Sequence, residues 1–455
     1  MSPAILNINN SGICLFQNDK VLYREIGIIL NSDQGLLVGS KAMDSRRILP
    51  KNINYDFWSD LSESKIRSSL FSDYSSADLV SYQLKEVQQY INNNDPIIII
   101  YPSYLDSENL SLLLGIANAL GIQIITFIES SIAATKEKYF ASKIIHLDIH
   151  LHGITASLMT DKKDVSVEES IFIEECGLFR LYDTWIKLIT ESCIEQLRYD
   201  PMHSAKTDQM LYNKVSKIID EVTKKNKVTI NIDSEDVSKI IEINSSAFID
   251  AVNKNYRHLV TKLRSLFSRN ENYVIQLTQQ IAELPGLITL LESSFSCFVR
   301  VLDDLEPEKG ACRFNTSALD NNIPSICRVL PYESEIEVDH GKADRDSFAP
   351  THILHDYVAY EISDIPIYIG TDVKTYNRYI KLDPNSPGIS RKHCSIYMHE
   401  GYCIFSDLSR YGSFLNERRV KEEIVLQKGD LLKICLLYTS PSPRDRTRSR
   451  MPSSA

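Results

Sequence analysis

Between Ile97 and Ile128 the chain reads as apolar strand, helix and apolar strand: IIIIY at 97–101, a helical stretch from Ser107 to Leu120 closed by Gly121, then IQIITFI from Ile122. Strands joined through a helix run parallel, so this stretch commits the first part of the chain to an α/β fold. Upstream, Ile5 to Leu30 alternates short apolar runs with Asn and Gly, the pattern of a hairpin or meander at the edge of a sheet. Lys143 to Met159 reads as another hairpin. From Leu178 to Lys227 apolar residues recur three and four apart, as in Leu181, Trp185, Leu188 and Ile189, then Leu211, Val215, Ile218 and Ile219, which predicts two amphipathic helices. A short strand, VTINI, follows, then helix to Ser268 and a strand at Tyr273 to Thr278. No internal repeat is visible in the residues.

Between Pro307 and Pro350 the periodicity fades into Asn, Asp, Glu and Pro, which predicts a linker, placed at 317–352. Beyond it, IPIYIG, YIKL, HCSIYMH, YCIFSDL, GSFLN and RRV alternate with turn residues and describe an all-β module. The 455 residues suffice for two or three such domains. With 50 basic and 60 acidic side chains the net charge is −10, so the chain has no global field for nucleic acid or an anionic membrane, and neither is expected as a partner. The nine cysteines are scattered without a CxxC pair, so no metal site or disulfide frame is expected. The start, MSPAILNINNSG, lacks a basic head and apolar signal core, and the apolar stretch from Leu112 to Ile128 is broken by Asn118 and Gln123. The expected address is the reduced cytoplasm.

From Cys435 the chain reads CLLYTSPSPRDRTRSRMPSSA, and composition turns abruptly to Ser, Pro and Arg inside an apolar strand. The segment resembles a translated sequencing adapter, since TGT CTC TTA TAC ACA TCT encodes CLLYTS, and residues 435–455 are expected to be non-native. The alternative is a natural Arg-rich tail without fixed structure. Without its four Arg and one Asp the rest of the chain carries −13, and the natural chain is expected to continue past Ile434.

Five segments of the first part form an ordered set: ILNINNSGICL from Ile5, YPSYL at Tyr101 to Leu105, ESSIAATKEKY from Glu129, LDIHLHGITASL from Leu147 and IQLTQQIAELPGL from Ile275. They resemble IDLGTTNSCV, VPAYF, EPTAAALAYG, FDLGGGTFDVS and ILVGGSTRIPAV of the seventy-kilodalton heat-shock chaperones, in that order. The resemblance implies a two-lobed actin-like (ribonuclease H-like) ATPase domain over residues 1–316. It also implies that the phosphate loops have lost their chemistry. The family's metal-associated carboxylate falls on Asn7 and its glycine on Asn9; the second glycine run falls on His150, Leu151 and His152; the adenosine-loop glycines fall on Gln279 and Gln280. Backbone N–H groups approach a phosphate closely only where side chains are absent. Losing several charge-assisted contacts, at about 1.5–3 kcal/mol each, exceeds the roughly 8 kcal/mol of a micromolar ligand.

The expectation is therefore a nucleotide-fold domain without catalytic residues, hydrolysis or cofactor. The alternative is a divergent ATPase that takes ATP with magnesium through Asn7, Asn10, Ser11 and Asp148. His146, Asp148, His150 and His152 alternate along the second loop and could be read as a metal stripe, but a turn at His150 breaks the alternation, and a polar hairpin turn is expected instead. Trp58 and Trp185 are expected to be core anchors. The chaperones' peptide-binding β-domain has no counterpart here, so refolding is not expected.

In the last part, IG at Ile369, GISRKHCSIY, DLSRYGSFLN and LQKGDLLKI resemble the forkhead-associated (FHA) domain, whose signature is GR, SRxH, DxxSRNGTFVN and LxxGD. The resemblance covers 353–434 and implies a β-sandwich, here truncated, whose end loops bind a phosphothreonine peptide. Phosphothreonine brings nearly two negative charges and three acceptor oxygens, which a hydroxyl and a guanidinium on one loop suit. Ser390 and Arg391 are those groups, with Lys392, Arg410, Tyr411, Gly412 and Ser413 completing the implied site. His393 is implied to brace the loop, and Asn416 and Asp407 to be turn and strand-end residues. Two positions depart from the signature: Thr371 stands where the family has the GR arginine, and Tyr411 where it has a peptide-gripping asparagine. Recognition of an unphosphorylated partner therefore stays open. The expected whole is a cytosolic, bacterial signalling adaptor that binds a phosphothreonine-containing protein. A second expectation is an ATP-dependent switch whose FHA domain selects clients.

Overall fold

The computed structural model describes residues 3–434 apart from 92–94, 141, 161, 234–237, 269–270, 296, 316–323, 338–349, 356–357, 385–387, 400–401, 417, 422 and 427–428. The adapter-like segment 435–455 thus lies outside the described residues. The chain divides into two compact units, Met1–His340 and Gly341–Ala455.

The two largest sheets described in the first unit are built on one plan. In the first sheet the order is Lys20–Glu25, Ile13–Gln17, Ala4–Asn7, Ile97–Tyr101, Ile124–Glu129 and Ser325–Cys327. Its first three strands form an antiparallel meander and the rest add in parallel. In the second sheet Val167–Glu174, Gly153–Met159 and Ser142–Ile149 form the meander, and Asn272–Leu277 and Phe298–Val301 add in parallel. The meander from Ile5 lies at the edge of the sheet as the sequence predicts, with Ala4–Asn7 its inner strand and both faces of that strand buried: Leu6 joins one core and Ile5 another. Lys20–Glu25 is its outermost strand.

Helices Ser76–Gln88 and Ser107–Ala119 share a core with the first sheet, each opened by a capping box, Ser75 with Asp78 and Asp106 with Asn109. The parallel pair at Ile97 and Ile124 and the left-handed Gly121 follow the sequence expectation. The two amphipathic helices are Leu178–Leu197 and Ala205–Lys224. A strand missed by the sequence reading, Ser238–Asn244, pairs with Lys227–Asp233 before helix Ser245–Leu263. Both tryptophans are core anchors: the Trp58 indole N–H donates to Gln83 Oε1 at 2.7 Å and that of Trp185 to the Phe248 carbonyl at 2.9 Å.

The stretch read as a linker from 317 meets three short strands. Ser325–Cys327 extends the first sheet, Leu330–Pro331 pairs with Asp164–Val165, and Ser334–Ile336 pairs with Glu137–Tyr139. Two or three residues are too few for alternation to show in a sequence. No helix among the described residues is long and apolar enough to cross a membrane.

The second unit is a β-sandwich. One sheet orders Tyr379–Lys381, Ile367–Gly370, Cys394–His399, Tyr402–Asp407 and Glu423–Leu426, and the other Arg418–Arg419, Phe414–Leu415 and Leu432–Lys433. A hairpin, His352–His355 with Val358–Glu361, precedes them. Ile367, Ile369, Ile380, Cys394, Ile396, Cys403 and Phe405 fill the core at alternate positions along the larger sheet.

Candidate functional site

Two loop clusters sit at strand ends, one in each unit. In the first unit, the turns that follow the first strand of each meander face one another. Asn9 Nδ2 donates to Asp148 Oδ2 at 3.0 Å and to the Ile149 carbonyl at 3.1 Å, and the Leu151 N–H donates to Asn10 Oδ1 at 3.0 Å. The Ser11 hydroxyl lies 2.7 Å from Gln280 Oε1, and Thr278 Oγ1 donates to Asp148 Oδ1 at 3.0 Å. His150 sits within 3.0 Å of both Asn9 Oδ1 and Thr155 Oγ1. Asn7 Nδ2 donates to Glu308 Oε1 at 2.9 Å. The four residues Asn7, Asn10, Ser11 and Asp148 are thus brought to one region, and each is bonded within it.

The electrostatics match a closed interior. Burial pushes the Asp148 carboxyl up to about 7, against hydrogen bonds from Thr278 and Asn9 that pull it down. Burial also raises Glu308 and lowers His146 and His150 to about 3, so both imidazoles are neutral. His152 runs the other way: burial opposes its charge, but Asp56 at 3.0 Å raises it. Among the described residues no cluster of three His, Cys, Asp or Glu side chains converges as metal ligands. A second set of long-range contacts lies elsewhere in the unit. The Arg46 guanidinium stacks on Phe179 at 4.0 Å, Arg47 pairs with Asp183, and Gln209 Nε2 donates to the Met43 carbonyl at 3.0 Å. Arg46 and Arg47 carry no sequence motif, and only the folded chain brings them to these partners.

Magnesium ATP does not fit this arrangement. Asn7 offers an amide where a hydrated cation needs a carboxylate. The side chains of Asn9, His150 and Gln280, onto which the resemblance puts phosphate-loop glycines, are already bonded: Asn9 to Asp148 and His150, and Gln280 to Ser11.

In the second unit the loop 388–393 meets the loop 408–413. Gly370, next to Thr371, lets the first loop come close: a Cβ there would lie 2.1 Å from the Arg391 carbonyl oxygen. The Ser390 N–H donates to His393 Nδ1 at 3.0 Å, and His393 is fully buried, so this imidazole holds the loop from beneath. Burial lowers its pKa and keeps the Nδ1 acceptor free of a proton. The Arg410 N–H donates to Ser390 Oγ at 3.2 Å and ties the loops together. Gly412, at φ +94°, turns the second loop, and its N–H donates to Ser409 Oγ at 2.7 Å.

Asp407, at the end of its strand, accepts from the Ser409 N–H and from both the N–H and hydroxyl of Ser413. Ser413 is fully buried. Its hydroxyl, expected at the mouth, braces the loop instead, because the strand-end carboxylate needs donors. Lys392 Nζ lies 4.3 Å from the centre of the Tyr368 ring and 5.2 Å from that of Tyr376, so its ammonium rests on an aromatic pair. Arg391, Arg410 and Tyr411 are exposed around Ser390. Asn416, at φ 48°, is a turn residue whose amide donates to Asp430 at 2.8 Å. The sequence reading passed over Arg419, whose Nη2 donates to the Tyr411 carbonyl at 3.2 Å.

Against the curated proteins the chain finds no match. The family model of the FHA domain matches residues 367–435. The loops that gather Ser390, Arg391 and Arg410 at one mouth of the sandwich are therefore those of an FHA domain, carried at the C-terminal end of a multidomain chain.

Proposed function

We propose that the chain is a signalling adaptor of the cytosol that binds a phosphothreonine-containing protein through its FHA domain, while the first unit acts as a scaffold that neither binds nor hydrolyses nucleotide. The observation that carries the reading is the Ser390 loop: a hydroxyl and an exposed guanidinium side by side, braced by buried His393 and tied to the facing loop through Arg410. A rigid hydroxyl with flanking cations suits a dianionic group with three acceptor oxygens. Ser390 and Arg391 are the phosphate ligands, Arg410 and Gly412 shape the facing wall, and Tyr411 lies along the peptide. Lys392 contributes charge from its aromatic seat.

The actin-like, chaperone-like reading of residues 1–316 is supported by the shared strand plan of the two sheets and by the facing turns after their first strands. The scaffold reading is supported by the bonding of Asn7, Asn10, Ser11 and Asp148 to neighbours inside the unit. The competing ATP-dependent switch would need those same groups for the nucleotide.

Calorimetry with a pair of peptides that differ only in phosphorylation of one threonine, titrated into the full chain, tests the central claim. Binding is expected only for the phosphorylated member. Equal heats for both would replace the phosphate reading with that of an unphosphorylated partner.

A further inference from the structure

The mouth of the FHA domain carries more positive charge than the base of one phosphate uses, and none of its described carboxylates pairs with that charge. Arg391 follows Ser390, Arg410 tops the facing loop, and Arg419 rises from the neighbouring strand; all three are exposed. Among the described residues none of the three forms an ion pair with a carboxylate, whereas Asp407 is taken up by Ser409 and Ser413, and Asp430 by Asn416. Asp372 meets Arg391 through the main chain, its N–H donating to the Arg391 carbonyl at 3.0 Å.

Arg419 is held in place. One of its N–H groups bonds the Tyr411 carbonyl, and its guanidinium lies so close over Gly412 that a Cβ there would come within 2.7 Å of Nε. Any side chain at 412 would displace it. Among the described residues no carboxylate takes the remaining N–H groups of this planar fork, and their geometry matches a carboxylate. Arg419 stands on the strand Arg418–Arg419, bonded to Tyr411 of the loop that faces Ser390, so its reach is toward peptide residues beside the phosphothreonine.

We infer that this mouth selects a phosphothreonine flanked by acidic residues, with Arg419 as the side chain that reads the flanking carboxylate. The inference rests on the phosphothreonine reading proposed above. It also gives the position of Thr371 a counterpart: charge missing from the GR position is supplied from the opposite wall, where it meets the peptide flank.

The test uses the full chain and fluorescence anisotropy with four peptides, threonine or phosphothreonine, each flanked by glutamates or by alanines. The glutamate-flanked phosphopeptide is expected to bind about fivefold to tenfold tighter than the alanine-flanked one. Arg419→Gln is expected to erase that ratio and leave the alanine-flanked affinity within about twofold. Arg419→Lys, which keeps the charge and loses the fork, is expected to fall between. Thermal melting reports whether each variant is folded, and the Lys variant decides if the Gln variant is not. Equal affinity for both phosphopeptides, or a loss in Arg419→Gln that is the same for both, overturns the inference and leaves phosphothreonine binding standing. Indifference to phosphate in every peptide overturns both.

Discussion

The two loop clusters hold their polar groups in opposite states. In the first unit, Asn9, Ser11, Asp148, His150 and Gln280 form one hydrogen-bonded network, with Asn9, Asp148 and His150 buried. At the mouth of the FHA domain the scaffold is just as well bonded, through His393, Asp407 and Ser413, but the arginines it carries are left without carboxylates among the described residues. The difference separates structure from recognition. A polar group satisfied by its neighbours stabilises the fold and has nothing left for a ligand; a cation held in place and unpaired has a ligand still to meet.

The sharpest way to break this contrast is to remove one member from each cluster. Asp148→Ala leaves the Asn9 amide and the Thr278 hydroxyl without their acceptor in a buried site and is expected to cost the first unit about 2–4 kcal/mol in urea unfolding. Exposed Arg391→Ala is expected to change stability by less than about 0.5 kcal/mol. A neutral Asp148→Ala would mean that the first unit does not depend on the network. The next largest effect is on binding: Ser390→Ala and Arg391→Ala are each expected to weaken a phosphothreonine peptide about tenfold or more in calorimetry. Unchanged affinity in both would remove the phosphate reading.

Legibility in the sequence follows the same division. Ser390, His393 and Gly412 were readable because each does a local job: the hydroxyl, the brace and the turn lie within a few residues of one another in the chain or on the facing loop. Ser413 was misplaced because its partner, Asp407, lies six residues back, and residue type alone does not tell a ligand hydroxyl from a bracing one. Arg419 was missed because its role depends on a pairing, Phe414 with Arg419, that only the hairpin creates. In the first unit the resemblance singled out Asn9 and Asp148 separately, but nothing in the residues said that Asn9 would reach Asp148, 139 residues away. The repeated sheet plan left no trace in the residues, since a buried strand asks only for apolar side chains and many fit.

The pH dependence of the first unit sharpens the picture with a smaller effect. Asp148, raised by burial to about 7 from 3.8, keeps a proton in the folded state that the unfolded chain has released across that interval, so its contribution to stability is lost as pH rises through it. His146 and His150, held near 3 against an ordinary 6.5, act in the opposite sense: the stability from keeping them neutral is lost as pH falls. The wild-type curve therefore mixes two slopes. The difference between wild type and Asp148→Asn isolates the carboxyl: the variant is expected to gain on wild type from pH 5 to pH 7, by at most about 1.4 kcal/mol per pH unit. A flat difference would mean that the carboxyl is ionised and solvated in the folded protein.

The smallest expected effect is none at all, and it bears most directly on the first cluster. A ligand that binds only the folded state at micromolar affinity adds about 4 kcal/mol of stability at millimolar concentration, a shift of several degrees in melting temperature. For magnesium ATP to do so here, its phosphates would have to displace the Asn9–Asp148 and Ser11–Gln280 hydrogen bonds and the contacts of His150. Each of these groups would then need a new partner, and Asn7, bonded to Glu308, offers a cation an amide rather than an anion. Millimolar magnesium ATP is thus expected to move the melting temperature of the first unit by less than about 1 °C. A shift of several degrees that disappears in Asp148→Asn would show that the network opens to admit a nucleotide, and the contrast between a satisfied cluster and an unsatisfied one would then be one of occupancy rather than of kind.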